Sequence, residues 1–351
     1  MILQQILAKQ PQQEAWSLER LKHERAIALG HALETSTNAT YTSQLQSYLS
    51  FCKIHHFPIE PTTDTLSFFV VYMSHHISPS SVACYLSGIC HALEPYYPNV
   101  RAIRSAAIVS RSLAGMKKLR GMQPTRRKHA LEHQYLLTAV TTLHDTPEHD
   151  DPLFIAMLLT GFYGLLRLGE LTVPDAIAKC TSKKLVLRHT LIIEASCYSF
   201  TLPFHKADRF YSGNTVMIEA LPESPVDPLT HLQRYLISRD HSFPLLPALW
   251  LTAAGYPPTY SLFISHLQAI LGKDVAGHSL HSGGATALAL AGVADNAIQA
   301  MGRWSSDTWH IYIWKHPVLL QALLHGGSTF QPYPSSSSST TLTSLPLSSR
   351  V

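Results

Sequence analysis

Four times between Thr35 and Gly121, apolar side chains recur at helical spacing, and each run is bracketed by cap and stop residues. TSTNATYTSQLQSYLSFCKIHH opens on cap residues, after which Tyr41, Leu45, Tyr48, Leu49 and Cys52 fall on one side of a helix. FPIEPTTDTLSFFVVYMSHH places a Pro-rich turn and a Thr or Asp cap before a second helix. In ISPSSVACYLSGICHALEPYYP, Ser80 or Ser81 caps a third, and Pro95 closes it. NVRAIRSAAIVSRSLAGMKKLRG reads as a fourth helix, with Arg101, Arg104 and Arg111 spaced to share one broad face. Short turns between such helices lead to a compact helical bundle. Residues 1–30 are helix-compatible and are read as an extension of uncertain structure.

After Gly121 the pattern changes. GMQPTRRKHA joins Gly, Pro and adjacent basic residues without apolar periodicity, as a linker does. DPLFIAMLLTGFYGLLRLGEL reads as a buried helix with a tight turn. KKLVLRHTLIIEASCYSFTLPFHK and NTVMIEAL carry alternating or β-branched runs and predict strands. DPLTHLQRYLISRD, YSLFISHLQAIL, SGGATALALAGV and DNAIQAMGRW return to helix. The expected organisation is a helical domain over 31–121, a basic linker over 122–130, a mixed domain over 131–327 and a low-complexity, disordered Ser-rich tail over 328–351.

The formal net charge is only +4, but its distribution is uneven. From Arg101 to Lys128 there are nine Lys or Arg and no Asp or Glu, which leaves the rest of the chain mildly acidic. A basic block of this kind is the footprint of a nucleic-acid surface, the alternative being a solvated charged face with its linker. The five cysteines are odd in number and lack CxxC spacing, so they read as buried thiols in a reducing compartment. No apolar stretch is long enough to cross a membrane, and the N-terminal apolar run is too short for a signal peptide. A soluble intracellular protein is expected.

The stretch GHSLHSGGATALA holds His278 and His281 three residues apart. Such a pair can supply two ligands of a metal, form a satisfied structural pair, or face an anion. A metal needs further ligands, and no Cys or acidic partner sits nearby in sequence. The wider context adds Arg167 and Glu170 in TGFYGLLRLGELTV, Lys206 in LPFHKADRFYSGNTVMI, and Gly302, Trp304 and Tyr312 in AGVADNAIQAMGRWSSDTWHIYIW. That order resembles the tyrosine recombinases, the phage-integrase-like DNA breaking-rejoining enzymes. GRWSSDTWHIYI is most similar to the eukaryotic mobile-element branch, the Crypton-type or fungal recombinases, and TYTSQLQSYLSFC and SSVACYLSGI resemble that family's helical core-binding domain. The resemblance runs from about Thr35 to His325.

The resemblance implies a mainly α protein: a helical core-binding bundle plus a mixed α+β catalytic domain with a small antiparallel sheet, closing as a clamp on double-stranded DNA. It implies a homotetramer on two DNA sites, a nuclear location, and catalysis with no cofactor, metal or ATP. Arg167 would donate to the non-bridging phosphate oxygens, where a planar guanidinium fits. Glu170 would hold Arg167, unless it is an ordinary surface carboxylate. His278 would donate to, or exchange a proton with, the phosphate or the nucleophile, and Lys206 would protonate the leaving 5′-oxygen, with Lys183 and Lys184 as rivals. Trp304 would bond a phosphate oxygen while packing beside Tyr312, or be a plain core residue. Tyr312 would be the nucleophile of a covalent 3′-phosphotyrosine, its alternative being a core aromatic. Arg101, Arg104, Arg111, Lys117, Lys118, Arg126, Arg127 and Lys128 are the expected phosphate contacts.

One position departs from the pattern. The family's second histidine-motif residue is arginine, and here it is His281. A phosphate beside it should raise the imidazole's pKa and make the compensation partial, stronger at low pH. Arg303 is a cation beside Trp304, but on a continuing helix it would point in a different direction. The spacing from Trp304 to Tyr312 is also about one residue shorter than in phage-type members. Two readings therefore stand: an active site-specific recombinase, or a DNA-binding, cleavage-impaired relic of one.

Overall fold

The computed structural model describes residues 14–30, 35–120, 128–144, 146, 148–204 and 213–304. The chain divides into two compact units, Met1–Arg126 and Arg127–Val351.

The first unit is helical. Helix α1 (Leu18–Gly30) buries none of its residues. Helices α2 (Thr35–His55), α3 (Thr63–Ser74) and α4 (Pro79–Leu93) follow. In α3 the Thr62 side chain accepts from the Thr65 backbone N–H at 3.1 Å, and the Thr65 hydroxyl accepts from that of Thr62, so two N–H groups are satisfied reciprocally. The cap of α4 is Ser78 rather than Ser80 or Ser81, because Pro79 takes the first helical position, where a missing N–H costs nothing. The core joins Tyr48 and Phe51 of α2, Leu66, Phe69 and Val70 of α3, and Val82, Leu86 and Ile89 of α4. Each such fully buried side chain is worth roughly 1.5–3 kcal/mol.

The expected fourth helix is two. Helix α5 (Val100–Ser105) ends at Ala106, whose extended backbone (φ −55°, ψ 145°) starts α6 (Ala107–Arg120) in a new direction. The Ser105 hydroxyl donates to the Arg101 and Ala102 carbonyls at the end of α5, a local competitor for helical bonding. The break lets Val100 and Val109 both reach the core, and it puts Arg101 and Arg104 on α5 but Arg111 on α6.

In the second unit, α7 (His133–Leu143) and α8 (Asp150–Tyr163) precede a tight turn and the one-turn helix α9 (Leu168–Leu171). Helix α8 is buried almost all round, from Asp151 through Phe162, and forms the axis of the larger core. The strands β1 (Ile192–Ile193), β2 (Cys197–Leu202) and β3 (Asn214–Glu219) form an antiparallel sheet in that order, with Tyr198 opposite Ile218 and Phe200 opposite Val216. The KKLVLRHT segment, expected as strand, instead forms tight turns at Ser182–Lys184 and Arg188–Thr190. Helices α10 (Pro228–Ser242), α11 (Tyr260–Leu271), α12 (Gly277–Leu290) and α13 (Asp295–Met301) complete the described part.

All five cysteines are free thiols, but only Cys52, Cys90 and Cys197 are buried. Cys84 and Cys180 are exposed, contrary to expectation; Cys84 lies on the outer side of α4, and Cys180 ends a surface turn. Among the described residues no helix is long and apolar enough to cross a membrane.

Candidate functional site

The two glycines after the histidine pair do not break the chain. Both lie inside α12, and both make close approaches possible. A Cβ on Gly284 would stand 2.2 Å from the Phe162 carbonyl oxygen, and one on Gly283 would stand 2.2 Å from the Leu131 carbonyl oxygen. Only hydrogen fits, so α12 lies directly on the end of α8 and on the segment at 129–131, where Leu131 donates its N–H to the Ser279 carbonyl. This contact brings His281, two residues before Gly283 in α12, to the turn that follows α8.

That turn is unusual at Leu165, which has a φ of +48°. A branched, fully buried residue seldom adopts the left-handed region. Its side chain packs with Ala285 of α12 and Ile298 of α13. Its carbonyl oxygen accepts from His281 Nδ1 at 2.8 Å. The bond to a carbonyl requires the proton on Nδ1, so in the neutral ring Nε2 carries the lone pair and accepts.

Two residues on, Arg167 precedes α9 and pairs with Glu170 within one turn. The Arg167 backbone N–H donates to Glu170 Oε2 at 3.0 Å, and Arg167 Nη1 lies 3.2 Å from Oε1. Glu170 is buried, which rules out the surface-carboxylate alternative, whereas about a quarter of the Arg167 side chain is exposed. A second guanidinium meets the same carboxylate: Arg303 Nη2 lies 3.4 Å from Glu170 Oε2 and donates to the Leu165 carbonyl at 2.8 Å. Arg303 does not continue α13. Gly302 caps that helix, and Arg303 takes a φ of +54°, so the chain reverses and the side chain points back to α9. This corrects the helical direction assumed from the sequence.

Trp304 is half-buried, its ring centroid 4.4 Å from that of His281 at a tilt of 55°. The indole covers Gly302, where a Cβ would fall 1.7 Å from the ring. The structure thus gathers Arg167, Glu170, His281 and Trp304 from three separate stretches, and adds Arg303. His278 lies one turn before His281, exposed at the start of α12. Lys206 and Tyr312 lie outside the described residues. Of the rival lysines, Lys184 Nζ sits 4.1 Å over the Phe204 ring.

The surrounding protein lowers the pKa of His281 to about 3, through burial first and then the charge of Arg167, with Arg303 and His278 adding to it. The bond to Leu165 opposes the fall without cancelling it. At neutral pH the ring is uncharged, and its Nε2 is an acceptor, so it cannot act toward an oxyanion as an arginine would. Burial also lowers the pKa of Arg303, while Glu170 opposes that fall. A guanidinium stays protonated at physiological pH. Among the described residues no group of three or more His, Cys, Asp or Glu could hold a metal ion.

The expected phosphate contacts fall into different classes. Arg101 makes a two-bond pair with Glu94, each bond 2.7 Å. Arg104 is half-buried and donates to the Ala83 carbonyl at 3.3 Å. Arg111, Lys117 and Lys118 are exposed on α6. Lys128 is exposed and bonds the Lys273 carbonyl, while Arg126 and Arg127 lie outside the described residues.

No family model matches the chain, and no curated protein matches it in sequence. Solved structures do. The XerH site-specific recombinase bound to palindromic difH substrate, in a post-cleavage complex, superposes with a TM-score of 0.54 at 15% identity, covering 83% of this chain and 79% of that one. The Tn1549 transposon integrase in complex with transposon right end DNA gives 0.53 at 15% identity, covering 87% of this chain and 97% of that one. The mainly helical architecture with its small antiparallel sheet is therefore the fold of the site-specific recombinases and transposon integrases.

Proposed function

We propose that the chain binds double-stranded DNA and breaks and rejoins it at specific sites through a 3′-phosphotyrosine on Tyr312, without metal or ATP. The observation that carries this is the convergence of Arg167, Glu170, Arg303, His281 and Trp304, drawn from separate segments, on the turn at Leu165. One buried carboxylate holding two guanidiniums leaves a net positive site, as an anionic transition state requires. Arg167, partly exposed, donates to the phosphate oxygens. His278, at the exposed start of α12, exchanges a proton, and Lys206 protonates the leaving 5′-oxygen. The fold shared with DNA-bound recombinases supports the substrate class. A core-binding domain at 31–121, a linker at 122–130, a catalytic domain at 131–327, a tetramer on two sites, a Crypton-like mobile-element origin and a nuclear location belong to the same proposal.

A second reading, a DNA-binding relic that no longer cleaves, is favoured by one observation. His281 is buried, neutral and committed to a backbone carbonyl where the resemblance expects an arginine. The experiment is covalent trapping on nicked duplex carrying a target site selected from random sequence. An adduct with the native chain, absent in Tyr312→Phe, is the enzyme's result. Duplex binding without adduct, and adduct only in His281→Arg, is the relic's.

A further inference from the structure

We propose that Arg303, reaching from the end of α13 to the Leu165 carbonyl beside His281, is the second fixed cation of this anion site. The inference rests on the reading of the cluster as a phosphate site. Glu170 has one negative charge and two guanidinium partners, Arg167 on Oε1 and Arg303 on Oε2. Without Arg303 the carboxylate would cancel Arg167, and with His281 neutral the cluster would carry no net charge. With Arg303 it carries one positive charge, fixed at any pH at which DNA is handled.

The placement is specific. Arg303 Nη2 uses the same Leu165 carbonyl that His281 uses, so the guanidinium lies beside the imidazole at the position in question. Nη1 is spent on the Met301 carbonyl at 3.0 Å. The side chain is only 9% exposed, yet its buried Nε–H has no acceptor among the described residues. A buried charged donor of this kind calls for an acceptor that the described residues do not supply. The backbone is held in the left-handed region to put it there, a conformation that an arginine adopts at a cost. The ligand chemistry is a tetrahedral oxyanion, a phosphodiester in duplex DNA and inorganic sulfate as its probe.

The test is sulfate binding by the full chain, measured calorimetrically at low ionic strength, with urea denaturation as the control for folding. Arg303→Met is expected to weaken sulfate at least about tenfold, and Arg303→Lys, which keeps the charge but not the forked bonds, to retain most of the affinity. Adding His281→Arg to Arg303→Met is expected to restore binding. If Arg303→Met does not fold, Arg303→Lys and the restored double variant decide. Native affinity in Arg303→Met, or loss in Arg303→Lys equal to that in Arg303→Met, overturns the charge role while Arg167→Met still abolishes binding. Sulfate affinity unchanged in Arg167→Met as well would instead overturn the anion-site reading itself, and this inference with it.

Discussion

Arg303 and His281 meet on a single acceptor: the Leu165 carbonyl oxygen lies 2.8 Å from Nη2 of the one and 2.8 Å from Nδ1 of the other. Both lone pairs of that oxygen are used. The imidazole is therefore held in one tautomer with a guanidinium at its side, and that guanidinium helps to keep it uncharged.

The buried histidine predicts a pH-dependent stability. The pKa of His281 is about 3 in the folded protein and near the ordinary histidine value, roughly 6.5, when unfolded. Between those values the unfolded chain binds the extra proton, so the contribution is fully present above about pH 6.5 and is lost as pH falls toward 3. The difference is on the order of a few kcal/mol. Urea midpoints of the native chain and His281→Gln should diverge at neutral pH and converge toward pH 4; parallel curves would contradict the neutral buried ring.

Glu170 joins two cations in a buried setting. Glu170→Ala leaves both guanidiniums without their anion and should destabilise the chain by about 3–5 kcal/mol. Glu170→Gln keeps an acceptor and should cost less. Denaturant titration of the two variants checks the order, and equal, small losses would mean that the pairing contributes little.

Gly284 touches the Phe162 carbonyl, a backbone atom that cannot rotate away. Gly284→Ala should push α12 off α8, at a cost of roughly 1–3 kcal/mol, and lengthen the His281–Leu165 bond. The His281 Nδ1 proton, followed by NMR, should exchange faster in the variant than in the native chain.

The basic helix α6 should differ from α5 in its use. Arg111, Lys117 and Lys118 are exposed, whereas Arg101 is engaged by Glu94. Replacing the three by Glu should flatten the salt dependence of duplex binding by about 0.9 for each phosphate no longer neutralised. Arg101→Glu should change it less. An equal effect at Arg101 would show that its pair with Glu94 opens for DNA.

The sequence by itself showed helices α2 to α4 and the Thr cap of α3, and it set Arg167 within a turn of Glu170, because each depends on residues within a turn or two of one another. Its periodicity could not show the break at Ala106, since a helical pattern survives a one-residue interruption. The residue type at 281 was legible, but its charge was not: burial against α8 sets that pKa, and burial belongs to the packed molecule. The place of Arg303 was equally hidden. It depends on two left-handed backbone positions, at Leu165 and Arg303, and on glycines that let α12 lie against a carbonyl. Such pairings join residues more than a hundred positions apart, and only the packing of the whole unit decides which of them face one another.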